Sequence, residues 1–152
     1  MASTSVGLLL YRRRDATLEV LLVHPGGPFW QKRDDGAWSI PKGELAEAEI
    51  DVDGARREFQ EELGAAAPSR EVAALGCVRQ SGGKTVHAWA VEGDFDVTQT
   101  RSGSFEVEWP PRSGKMQRFP EVDRAGWFDL DMARRKLIPA QAAFIDRLEG
   151  LP

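Results

Sequence analysis

Between Asp51 and Gly64 the chain carries two different faces of one helix. Val52, Ala55, Phe59 and Leu63 recur at helical spacing and predict the side that is buried. Glu58, Glu61 and Glu62 stand at i, i+3 and i+4, so three carboxylates share another face. Asp51 or Asp53 supplies an N-cap, and Gly64 sits just past the last periodic residue. Like charges at this spacing repel, whereas an ordinary exposed face mixes in Lys and Arg. Three clustered glutamates alone would read as a solvated face. A cation above them explains the cluster better if the rest of the chain supports it. Hard divalent ions such as Mg²⁺ take carboxylate and carbonyl oxygens and share their shell with water and substrate phosphates. The helix therefore points to a metal-dependent, phosphate-processing site.

The surrounding pattern supplies layers for such a helix. Residues 6–11 and 18–24 are apolar runs that suit a hairpin joined through Asp15-Ala16-Thr17, with Arg12-Arg13-Arg14 read as a solvated tip. A loop containing Gly26 to Gly36 follows, and its Phe29 and Trp30 either stack on a base or lid the core. Residues 37–40 read as a brief strand, and Pro41-Lys42-Gly43 as a sharp turn into the acidic segment. Residues 72–78 and 85–91 are expected strands around a flexible turn at 81–84, with His87 a structural histidine. Residues 104–109 alternate like a half-buried strand with Glu106 and Glu108 on one face, while 116–124 read as irregular. A short strand at 126–130, a turn of helix capped by Asp131, and a last helix opened by Pro139 complete the chain. Ala142, Ile145 and Leu148 are the expected buried side of that helix. Strands around an internal helix, with a terminal helix on the other face, predict an α+β chain built as an α/β/α sandwich, one domain over residues 1–152.

Charge and cysteine content narrow the function classes. A net charge of −4 argues against a broad nucleic-acid surface, which depends on summed cationic charge, and no stable nucleic-acid complex is expected. It leaves room for a small nucleotide held by a few local cations. Cys77 is the only cysteine, which excludes an intramolecular disulfide and suits a reducing cytoplasm. Inside an apolar run it reads as a small buried hydrophobe rather than a catalytic thiol. The N-terminus has no basic region ahead of its apolar run, so it is not read as a signal peptide, and no stretch approaches membrane-spanning length. The expectation is a cytoplasmic protein with no membrane partner, monomeric or homodimeric.

Residues 43–65 carry a dense motif. Gly43 is followed by five residues and Glu49; seven more lead to Arg57-Glu58, apolar Phe59, Gln60, Glu61-Glu62, Leu63, Gly64 and Ala65. This resembles the Nudix box, Gly-x5-Glu-x7-Arg-Glu-apolar-x-Glu-Glu-x-Gly-apolar, with every defining position filled. Trp38-Ser39-Ile40-Pro41-Lys42-Gly43 resembles the approach to the box in the diadenosine tetraphosphate hydrolase branch. Lys84-Thr85-Val86 leading to Trp89, and Glu121 six residues before Trp127, are similar to that branch too. The chain departs from the usual pattern at Ala48, where glycine is common, and at Glu44, where dinucleotide hydrolases often place histidine.

The resemblance implies a Nudix fold, with a mixed sheet between helices and a box that holds divalent metal, Mg²⁺ or alternatively Mn²⁺. It also implies hydrolysis of a nucleoside diphosphate linked to another group. Glu58, Glu61 and Glu62 are then the expected metal ligands, joined by the backbone carbonyl of Gly43, and Glu58 also a candidate to orient or deprotonate the attacking water. Arg57 would order the carboxylates, pairing with Glu61 or Glu49, and Glu49 would support the loop–helix junction. Lys42 and Lys84 would contact phosphates, and Trp30, read from its loop, is the candidate to contact the substrate base. Glu121 is the expected further ligand or general base outside the box, with Glu106 and Glu108 as fallbacks. The implied substrates are dinucleoside polyphosphates or nucleoside triphosphates. ADP-ribose, a nucleotide sugar, or a non-catalytic nucleotide-binding regulatory role remain as alternatives.

Overall fold

A computed structural model describes residues 3–45 and 50–152; Ala48 and Glu49 of the box lie outside them. The first two strands, β1 (Thr4–Arg14) and β2 (Thr17–Pro25), form an antiparallel hairpin. Asp15 and Ala16 turn the chain in the left-handed region, at φ 51° and 66°. Two such residues match the right-handed twist of the flanking strands. A short β3 (Lys42–Glu44) pairs antiparallel with the start of β1, and α1 (Val52–Leu63) follows. Next come β4 (Val72–Arg79) and β5 (Thr85–Glu92), then a separate hairpin of β6 (Ser104–Glu108) and β7 (Met116–Pro120). The chain ends with β8 (Val122–Asp129), α2 (Leu130–Lys136) and α3 (Ala142–Glu149).

The main sheet runs β4-β5-β1-β2-β8, with β3 also on β1. It is mixed, because β5 lies parallel to β1 while the other neighbours are antiparallel. Both faces are covered. Leu8, Leu10 and Leu21 pack toward Ala55, Phe59 and Leu63 of α1. Leu9, Val20 and Leu22 pack toward Phe144, Ile145 and Leu148 of α3. Alternate residues of one strand thus enter opposite cores, which is why β1 and β2 read as continuous apolar runs. The expected α+β sandwich with a mixed sheet between helices is the one observed.

Several local expectations are corrected. Residues 37–40 make no strand; Ser39 bridges Val23, and Trp38 bridges Leu137. The segment is wedged between β2 and the chain after α2, taking one contact from each. Lys42 and Gly43 extend β3 rather than turning. Residues 116–120 are a strand held by its ladder to β6, not by a buried face, so they lack an apolar period. Asp129, not Asp131, caps α2, accepting from the Met132 amide at 2.8 Å. Pro139 opens a 3₁₀ turn, and α3 begins at Ala142 with Phe144 in its buried face.

Cys77 is exposed, contrary to expectation. The register of edge strand β4 shifts between Ala74 and Gly76, with Gly76 at φ 74°. That bulge sends Leu75 and Val78 inward and leaves Gly76 and Cys77 outside.

Candidate active site

Both ends of α1 are fixed as its sequence demands. Asp51 accepts a hydrogen bond from the Gly54 amide at 2.8 Å, and Gly64 closes the helix at φ 82° with its amide on the Gln60 carbonyl. With Phe59 and Leu63 locked in the core, the acidic face turns toward β3. The Lys42 amide donates to Glu62 Oε1 at 3.0 Å. Glu58 lies so close over Gly43 that a Cβ there would collide with its Oε2. A side chain at position 43 would displace the Glu58 carboxylate.

Electrostatics separate these groups from surface carboxylates. Burial pushes the Glu62 carboxyl up to about 7; the Lys42 amide and charge oppose this, and the Glu121 and Glu58 charges add to it. Glu58 is raised by burial, then by the neighbouring Glu61 carboxyl, with Arg57 acting in the opposite direction. The Lys42 ammonium is lowered by burial, opposed by Glu62 and reinforced by Lys84. Burial thus outweighs the attraction between Lys42 and Glu62, and each is held nearer neutrality than in water.

These groups face a cleft of about 470 Å³. Lys42, Glu62, Lys84, Glu121, Trp30 and Arg33 are among the residues that line it. The three residues expected to bind substrate, Lys42, Lys84 and Trp30, are therefore brought together with two of the expected carboxylates. Glu58 and Glu61 lie alongside through their contacts with Gly43 and each other. A separate depression of about 610 Å³ is lined by Arg56, Arg57 and Arg70 and by no acidic side chain.

Other expected partners fall elsewhere. Arg57 makes no ion pair with Glu61 among the described residues, although its charge is felt by Glu58. Glu106 pairs with Arg118 at 3.2 Å, and Glu108 accepts from the Arg112 amide at 2.9 Å, so both fallbacks belong to the β6–β7 hairpin. Phe29 neither lids the core nor lines the cleft; it meets Trp109 edge-on at 5.4 Å. Arg33 was not singled out by sequence. Its only signal was its place three residues after Trp30, and its guanidinium lies 5.6 Å from the Trp30 ring.

The donor chemistry fits a hard divalent cation: carboxylates whose charged forms are disfavoured by burial and by one another, beside a bare backbone position. Among the described residues no group of three or more His, Cys, Asp or Glu side chains is placed so that it could hold a metal ion. No helix among them is long and apolar enough to cross a membrane.

A family model described as NUDIX domain matches residues 1–148. A comparison with curated proteins finds no match. Among solved structures, a binary complex of a C. elegans Ap4A hydrolase is similar, with a TM-score of 0.63 and 18% identity over 97% of this chain and 95% of that one. The NUDIX domain of Shewanella oneidensis NrtR, complexed with ADP ribose, has a TM-score of 0.63 and 16% identity over 98% and 87%. The E. coli ORF135 protein has a TM-score of 0.59 and 23% identity over 99% and 90%. At these identities the likeness is one of fold.

Proposed function

Since the chain belongs to the NUDIX domain family, we propose that it is a Mg²⁺-dependent pyrophosphohydrolase acting on a nucleoside diphosphate linked to another group. The substrate class we favour is a dinucleoside polyphosphate of the diadenosine tetraphosphate type, or a nucleoside triphosphate. One observation carries this reading. Lys42 and Lys84, suited to phosphate oxygens, share a cleft with Glu62 and Glu121, suited to a cation and a water. A binding module would have no use for that combination of cations and carboxylates.

In this reading Gly43, Glu58, Glu61 and Glu62 hold the divalent ion. When bound, the ion shields phosphate oxygens and acidifies a water. Water attacks one phosphorus, the bridging P–O bond breaks, and two phosphate-bearing products leave. Glu121 takes the proton from the attacking water, with Glu58 the alternative base. Arg57 steadies the charge on Glu58. Lys42 and Lys84 neutralise phosphate oxygens, and Trp30 stacks on a base. ADP-ribose is the second substrate reading, because a similar NUDIX domain is complexed with it.

The test is a panel of dinucleoside polyphosphates, nucleoside triphosphates, ADP-ribose and nucleotide sugars, incubated with Mg²⁺ or Mn²⁺. Turnover should vanish on chelation and fall in Glu58→Gln and Glu62→Gln. Binding without turnover across the panel would replace the enzyme by a regulatory module. Variants equal to wild type would remove the assigned site. Hydrolysis in ¹⁸O water then identifies the attacked phosphorus.

A further inference from the structure

His24, on β2, has no exposed surface and lies outside the machinery assigned above. Its Nδ1 is 2.9 Å from Asp123 Oδ1, and its Nε2 is 2.6 Å from the carbonyl oxygen of Arg33. Both partners accept and neither donates when Asp123 is ionised. A neutral imidazole carries one N–H, so it satisfies one oxygen and turns a lone pair toward the other. In a buried setting that second contact is repulsive. An imidazolium donates to both.

The grip matters because of what Arg33 carries. The Arg33 amide donates to the Trp30 carbonyl at 2.9 Å, and both side chains line the cleft. Side chains hold the following residues from beneath: Trp38 Nε1 donates to Asp34 at 2.8 Å, Lys136 to Asp34 at 2.6 Å, and Arg135 to Asp35 at 2.9 Å. Among the described residues, His24 is the side chain that grips the backbone of Arg33 itself. Its ring also meets Trp38 edge-on at 5.2 Å. The charged residues on the elements packed against it are Asp123 and Arg124 from β8 and Arg33 from the loop, with Asp34 and, through it, Lys136 of α2 behind the Trp38 ring. Arg124 stands 3.5 Å from the Asp123 carboxylate, with its guanidinium 5.1 Å from the Trp38 ring.

We propose that His24 is a positioning residue for the substrate cleft, holding Arg33 and Trp30 in place through a ring protonated on both nitrogens. Loss of one proton breaks one of the two bonds and loosens that wall. Substrate affinity then falls while the carboxylates on α1, and with them the chemical step, are untouched. This rests on the function proposed above only for its kinetic readout; the state of the ring is measurable without turnover.

The chain has two histidines, so His87→Gln leaves His24 as the sole imidazole for ¹⁵N NMR. Both ring nitrogens should carry a proton, because both face oxygens. His24→Gln keeps one donor and should raise the KM for the substrate found in the panel about five- to tenfold, the range of one hydrogen bond, with kcat little changed. Asp123→Asn removes the charged acceptor, so the ring should keep a single N–H and KM should rise in the same direction. It serves equally if His24→Gln does not fold. A ring with one N–H before that substitution, a ring state unmoved by Asp123→Asn, or a fall in kcat at constant KM would overturn the proposal. Should nothing in the panel turn over, the function fails separately, and nucleotide affinity replaces KM.

Discussion

The backbone amide of Lys42 holds the Glu62 carboxylate at 3.0 Å while burial drives the Lys42 ammonium and the Glu62 carboxyl toward their neutral forms. A strand residue and a helix residue thus store charge that the fold itself disfavours. A divalent ion and a phosphate chain would relieve both.

The first consequence is a pH-dependent stability. Glu62 is raised from 4.5 to about 7 in the folded protein. Between those values the native state binds more protons than the unfolded state, so stability falls as pH rises through that window. Full expression of the shift would lower stability by up to about 3 kcal/mol. Denaturant melts in chelator from about pH 4.5 to about 7.5 should show the decline. Added Mg²⁺ should flatten it, and Glu62→Gln should reduce it, leaving the smaller part that the raised Glu58 carboxyl contributes.

Gly43→Ala tests the close approach of Glu58. A methyl group there collides with Glu58 Oε2, so the carboxylate must swing away. Turnover should fall at least about tenfold, since small displacements of a positioned group weigh heavily on rate. Calorimetric Mg²⁺ binding should weaken alongside it. Unchanged Mg²⁺ affinity would separate position 43 from the cation site.

Glu121→Gln should lower kcat far more than Glu108→Gln, by about 10² or more if Glu121 is the general base. Glu121 lines the cleft, whereas Glu108 is tied to the Arg112 amide. Steady-state kinetics of the two variants decide it, and the reverse order would move the base to the hairpin.

Phe59→Ala should destabilise the protein by about 3–5 kcal/mol, the range for deleting a buried phenylalanine. Its side chain is 1% exposed and meets Phe95 edge-on at 6.3 Å. Because Phe59 sets the rotation of α1, residual activity at low temperature should fall too. Thermal melts measure the first effect and initial rates the second.

Much of this was legible in the chain. The α1 stripe, its Asp51 cap and its Gly64 stop are local patterns, and the structure repeats them. The meeting of Lys42, Lys84, Glu62 and Glu121 followed from family resemblance, since no periodicity links residues so far apart, and Trp30 was marked only by its place in a long aromatic loop. His24 gave no signal, because a histidine at the end of an apolar run looks like strand filler until both of its ring nitrogens are seen to face oxygens. Cys77 was misread because one bulge at Gly76 inverts the alternation that would bury it. Residues 116–120 stayed hidden because a strand exposed on both sides has a ladder but no hydrophobic period.

One further consequence lies in the first strand. Along one edge the opening residues of β1 bind β3, with Ser5 opposite Glu44 and Gly7 opposite Lys42. Along the other they bind β5, with Thr4 opposite Thr85, and the Ser3 carbonyl accepts the Thr85 amide at 2.9 Å. Five residues therefore act as the spacer that sets how far apart the two cleft lysines stand. A purification tag or fusion partner that frays this strand would spread the jaws of the site. Because β3 also carries Gly43 against Glu58, such a disturbance would reach the carboxylate cluster as well as the spacing of the lysines.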